Sequence, residues 1–199
     1  MLFMAKLLVV SGVGNTETSN KFLEIIQEEN PDNIVMINDG ANPQKLEEWL
    51  NFIEKFSMVF PLERTAILFD GDDQEIKKYI SSKKLMNSNI HDFQIGNMVF
   101  INGEHHPKDI KGKIFVEMSK IMHHASNKYI LGIFSMLIRL NYDIAKDKYL
   151  VINNFHDSFI YDHIIFVGDF YKIENKDPEY IIIESTTDGD FINVSINNS

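Results

Sequence analysis

The densest chemistry in the sequence is Asp70-Gly71-Asp72-Asp73, which crowds three carboxylates into four residues. Such carboxylates repel one another unless a hard cation neutralises them, and oxygen ligands suit Mg²⁺ or Mn²⁺. Mg²⁺ keeps several waters and commonly bridges to a substrate phosphate, so the chemistry to expect is metal-assisted work on phosphate. A plainer use exists for the same residues. Asp72 with Glu75 makes a capping box ahead of Ile76, Tyr79 and Ile80, leaving Asp70 and Asp73 in solvent.

Three other stretches share the character of this loop. Ser11-Gly12-Val13-Gly14-Asn15-Thr16-Glu17 is rich in glycine, and backbone N–H groups at such a turn into a helix can cradle a phosphate. Asn38-Asp39-Gly40 and Asn102-Gly103-Glu104-His105-His106 each again join glycine to an acid. Turn chemistry accounts for any one of them. Their coincidence is what points to a site.

The remaining candidates are weaker. His105-His106 and His123-His124 are adjacent pairs whose side chains diverge, so neither makes one site. His105 would be the proton donor nearest the acids, although a solvated loop histidine is the simpler reading. Lys77, Lys78, Lys83, Lys84, Lys108, Lys111 and Lys113 would give an acidic site a basic flank, or simply form solvated faces. No HExxH, GxSxG, Walker A or Cys/His zinc pattern occurs.

The elements that must position these loops follow from apolar runs. Leu7-Leu8-Val9-Val10, Asn33-Ile34-Val35-Met36-Ile37, Thr65-Ala66-Ile67-Leu68-Phe69 and Met98-Val99-Phe100-Ile101 each end at one of the four loops. All are continuous rather than alternating, as expected of strands covered on both faces by helices. Between them run helical patterns. Phe22, Leu23 and Ile26 mark one, and Leu46, Trp49, Leu50 and Ile53 mark a second behind Asn42 and Pro43. Strand–helix alternation predicts right-handed βαβ units, whose ligands bind at the carboxyl ends of the strands.

Beyond about residue 115 the pattern changes. Residues 116–142 read as helical, and 149–153, 160–173, 180–185 and 191–196 as strands that extend the first sheet or cap it. The expected architecture is α/β: a Rossmann-like, mainly parallel sheet flanked by helices over residues 1–115, then a helical and antiparallel β extension over 116–199.

Composition bounds the rest. The 199 residues are 44% hydrophobic, enough for a packed core, and the absence of cysteine excludes disulfides and thiol chemistry. A net charge of −10 opposes non-specific coating of nucleic acid. The apolar start, interrupted by Lys6, is too short for a membrane span and lacks the marks of a signal peptide. A soluble, cytoplasmic protein without a membrane partner is expected, with a protein partner or a second copy meeting the C-terminal extension.

This order of elements, with acids after the third strand, resembles the Toprim domain of topoisomerases, primases and OLD-type nucleases. The likeness runs from Leu8-Val9-Val10-Ser11-Gly12 through Asp39-Gly40 and Asp70/Asp72 to Phe100-Ile101-Asn102-Gly103-Glu104. It implies that Asp70 and Asp72 bind Mg²⁺ or Mn²⁺, with Asp73 in support. The family's catalytic glutamate after the first strand is matched here by Ser11, so Glu17 or Glu104 would have to replace it. Ser11, Gly12, Gly14, Asn15 and Thr16 also resemble the phosphate loop of flavodoxins, which implies FMN. The expectation is a divergent Toprim-like protein that binds or cleaves nucleic acid or nucleotides. The alternatives are a nucleotide-sensing Rossmann-like module and an FMN-binding protein.

Overall fold

The computed structural model describes residues 4–13, 16–37, 46–68, 78, 82–85, 93–95, 98–101, 149–153, 158–161, 164–171, 177–186 and 192–198. The chain opens with strand β1 (Met4–Ser11), helix α1 (Thr16–Glu29), β2 (Asn33–Ile37), helix α2 (Leu46–Val59) and β3 (Thr65–Leu68). Then follow β4 (Phe93–Ile95), β5 (Met98–Ile101), β6 (Tyr149–Asn153), β7 (Phe159–Tyr161), β8 (Ile164–Val167), β9 (Glu179–Thr186) and β10 (Ile192–Asn198). The α/β class is as expected.

Two five-stranded sheets result, ordered β10-β9-β1-β2-β3 and β4-β5-β6-β8-β7. β1, β2 and β3 are parallel, while β9 and β10 extend their sheet antiparallel. The second sheet has a parallel centre, β5-β6-β8, with β4 and β7 antiparallel at its edges. Strands from either side of residue 115 stand in both sheets.

Alternation along each central strand explains the layering. Leu8, Val10, Ile34, Met36, Ile67 and Ile182 join Phe22, Ile25 and Ile26 of α1 and Trp49, Phe52, Ile53 and Phe56 of α2 in one core. Leu7, Val9, Val35, Ile37, Ala66, Ile181 and Ile183 turn to the other face and meet Met98, Phe100, Val151, Ile165 and Val167 of the second sheet. A strand buried on both faces reads as an unbroken apolar run, which the four runs are. The expectation of helices on both faces is corrected here: helices cover one face, and a sheet covers the other. The run at 98–101 accordingly joins the second sheet rather than becoming a fourth strand of the first.

The amino-proximal edge is held by polar contacts. α1 is closed by Asn30, just past its end, whose left-handed φ of 46° and N–H bond to Ile26 O cap the helix before Pro31. Lys6 Nζ donates to Glu29 Oε2 at 2.6 Å and the Tyr180 hydroxyl to Glu29 Oε1 at 2.7 Å. Asp32 and Lys6 exchange bonds too, with Lys6 N donating to Asp32 Oδ2 and Asp32 N to Lys6 O. These contacts fix the turn from α1 into β2. Among the described residues no helix is long and apolar enough to cross a membrane.

The predicted start of α2 at Asn42 and Pro43, the third helix over 72–80 apart from Lys78, and the helical stretch 116–142 lie outside the described residues. The stretch 160–173, expected as one strand, contains β7's end and β8, followed by a turn at Gly168 and Asp169.

Candidate functional site

Register brings the strand ends level. Ser11 pairs with Ile37, and Ile37 with Leu68, so β1, β2 and β3 finish side by side. In the second sheet Asn153 of β6 pairs with Val167 of β8. One backbone bond joins the two sets of ends: Phe170 N donates to Ser11 O at 2.8 Å.

Ser11 closes β1, is fully buried, and falls by alternation on the face of Leu7 and Val9, toward the second sheet. Its hydroxyl has no hydrogen-bond partner among the described residues. Gly12 then takes φ +73°, a left-handed conformation that L side chains rarely adopt. That turn lets Val13 re-enter the helix-side core, and α1 begins at Thr16.

A Cβ built on Gly12 would lie 3.7 Å from Asp169 Oδ1, so the Asp169 carboxylate borders this turn. Its neighbours are tied on both sides. Gly168 N donates to Ser158 Oγ at 2.8 Å, and Ser158 N donates to a carboxylate oxygen of buried Glu179 at 3.1 Å. Glu179 N in turn donates to Phe170 O at 2.9 Å. The Phe170 ring is buried and packs edge-on against Phe22 of α1, with centroids 5.6 Å apart. Asp169 therefore rides on a loop anchored in both sheets and in the helix layer.

Of the residues singled out from sequence, Ser11 and Gly12 stand at this turn, and Thr16 and Glu17 occupy the first turn of α1. Gly14, Asn15, Asp39, Gly40, Asp70, Asp72, Asp73, Glu104 and His105 lie outside the described residues. Asp39 and Asp70 each follow, by two residues in sequence, a strand end at this edge. Sequence reasoning missed Asp169 and the Ser158–Glu179 support beneath it. The signal was present, since Gly168-Asp169 after Ile164-Ile165-Phe166-Val167 repeats the glycine-and-acid ending of the other loops.

Oxygen donors at a strand edge suit a hard divalent cation. Ser11 Oγ and Asp169 fit that donor type, but among the described residues no three His, Cys, Asp or Glu side chains cluster.

No protein-family model matches the chain, and no curated protein does. Solved structures do. The chain is similar to YfcE, a phosphoesterase from E. coli, at 11% identity and a TM-score of 0.53, covering 97% of this chain and all of that one. It is also similar to an archaeal phosphodiesterase, at 12% identity and a TM-score of 0.52, covering 96% of this chain and 99% of that one. These likenesses overturn the Toprim and flavodoxin resemblances, whose motifs were short and borne by loops, whereas the match runs over nearly the whole chain. The FMN expected at residues 12–16 loses its support with them, as does a Rossmann-like module, because a second sheet occupies the face where that layering needs helices. The fold of this chain is the one it shares with these two phosphoester-cleaving proteins.

Proposed function

We propose that the protein is a phosphoester hydrolase dependent on Mg²⁺ or Mn²⁺, acting at the carboxyl edge of β1, β2, β3 and β8. The single observation that carries the reading is the Ser11–Phe170 bond, which sets Gly12 and Asp169 together at the edge where the parallel strands end. The shared fold with a phosphoesterase and a phosphodiesterase supports it.

Asp70, Asp72 and Asp73 supply the principal ligands in this reading, and Asp39 adds a carboxylate from the loop after β2. When bound, the cation supplies neutralisation of phosphate charge and a water of lowered pKa. In this reading the glycine-rich stretch from Gly12 to Thr16, at the entry to α1, offers backbone N–H groups to the phosphate oxygens. Glu104 or Glu17 orients and deprotonates the attacking water. The substrate class is a small phosphodiester such as a cyclic nucleotide or a dinucleotide, since a net charge of −10 opposes docking of a long polyanion.

The test is release of 4-nitrophenol from bis(4-nitrophenyl) phosphate by the purified chain in millimolar Mn²⁺. Turnover that EDTA abolishes and fresh Mn²⁺ restores is the expected result. No turnover of this ester or of 4-nitrophenyl phosphate in either metal contradicts the proposal.

A further inference from the structure

We propose that β10 is the surface through which two copies of this chain pair, antiparallel about a two-fold axis, into one continuous sheet. Strand edges with free N–H and C=O groups recruit further strands, and proteins blunt them with shortness, charge or proline. Three of the four sheet edges here are short: β3 has four residues, and β4 and β7 have three each. β10 is the exception. It runs seven residues, Ile192-Asn193-Val194-Ser195-Ile196-Asn197-Asn198, with neither charge nor proline. Among the described residues it pairs on one side only, with β9, in an unbroken register from Ile192 against Ser185 to Asn198 against Glu179.

Charge and residue order identify the occupant as a second copy. A chain of net charge −10 repels its own copies, and the uncharged β10 is a place where two of them meet without setting acid against acid. The strand is also self-complementary about Ser195. In an antiparallel pair centred there, Ser195 meets its own counterpart, Val194 meets Ile196, and Asn193 meets Asn197. Like therefore sits with like on each face. Val194 and Ile196 are only partly buried, packed against the core of Leu7, Val9, Ile181 and Ile183 between the sheets. A second β10 continues that core across the axis and covers apolar surface that one chain leaves open. Asn193 and Ser195 are exposed on the other face, where the polar pairs fall.

Sedimentation equilibrium of the full chain tests this, with Ser195→Lys, Ser195→Glu and an equimolar mixture of the two. Ser195 is exposed, so the monomer accommodates either side chain, and each variant sets like charges directly across the axis. Wild type is expected to sediment at twice the mass of one chain. Each variant alone is expected to raise the dimer dissociation constant about tenfold or more, and the mixture to restore the dimer. Ser195→Cys supplies a second measurement, because the chain has no cysteine of its own. Oxidation with diamide should join two chains through residue 195 far faster than through Met58→Cys, an exposed position near the end of α2. A wild-type chain that stays monomeric at high micromolar concentration overturns the proposal. So does a dimer that Ser195→Lys leaves intact, a mixture that stays monomeric, or Ser195→Cys chains that cross-link no faster than Met58→Cys chains.

Discussion

Phe170 N donates to Ser11 O at 2.8 Å, and through that bond the loop leaving the second sheet is fastened to the end of the first strand of the other sheet. The same residue drives its ring into the helix-side core against Phe22. Residue 170 thus links three layers of the fold at the edge where the chemistry is proposed.

Phe170→Ala should cost about 3–5 kcal/mol of stability, the usual range for emptying a buried phenylalanine site. Urea unfolding measures this. A loss under about 1 kcal/mol would mean that the ring is not the anchor described.

Gly12→Ala should destabilise the chain by about 1–2 kcal/mol, because the left-handed conformation at φ +73° penalises any Cβ. The space beside it is adequate, since the new Cβ meets Asp169 Oδ1 at ordinary contact distance. The backbone is therefore the cause. If Gly12→Asn, a residue that tolerates this conformation, costs as much as Gly12→Ala, the explanation fails.

Much of the fold was legible in the sequence, and the point where legibility stopped has a physical cause. Leu7-Leu8-Val9-Val10 and Asn33-Ile34-Val35-Met36-Ile37 announced strands buried on both faces, and β1 and β2 are such strands. An apolar run does not reveal what covers it, so a second sheet and a second helix layer are indistinguishable from these residues. The assignment of 98–101 to the wrong sheet follows directly. At the site, Ser11 and Gly12 were legible because a turn after a strand needs glycine. Gly168-Asp169 carried the same glycine-and-acid signal, but its placement beside Gly12, 157 positions earlier in the chain, could not be read from it.

Ser11→Ala should leave the metal-free protein as stable as wild type or more stable, by up to about 1–3 kcal/mol. The substitution removes a buried hydroxyl that lacks a partner among the described residues, and an unsatisfied buried polar group carries a penalty of that order. Denaturant midpoints in EDTA decide the matter. A clear loss of stability would show that the hydroxyl is satisfied within the folded chain.

Stability should fall in acid partly through Glu29. Burial pushes its carboxyl up, but hydrogen bonds from Lys6 and Tyr180 and the Lys6 charge outweigh that and hold it below the ordinary glutamate value. A depressed folded pKa means that the unfolded chain takes up the proton first. The contribution is therefore present above the ordinary glutamate range and lost as pH falls through it toward the folded value. The Tm gap between wild type and Glu29→Gln should narrow steadily from pH 7 to pH 3. A gap independent of pH would contradict the assignment. Tyr180 behaves in the opposite sense: burial first, then the Glu29 carboxylate, raise its pKa, so its contribution is lost only in strong alkali.

The most direct test of the central claim is a crystal of the protein soaked in Mn²⁺ and measured for anomalous scattering. The account predicts a peak at the carboxyl edge of β1, β2 and β3, beside the Gly12 turn and on the same side as Asp169. An empty anomalous map at millimolar Mn²⁺, or a peak confined to the opposite edge near Glu29 and Asp32, would contradict it.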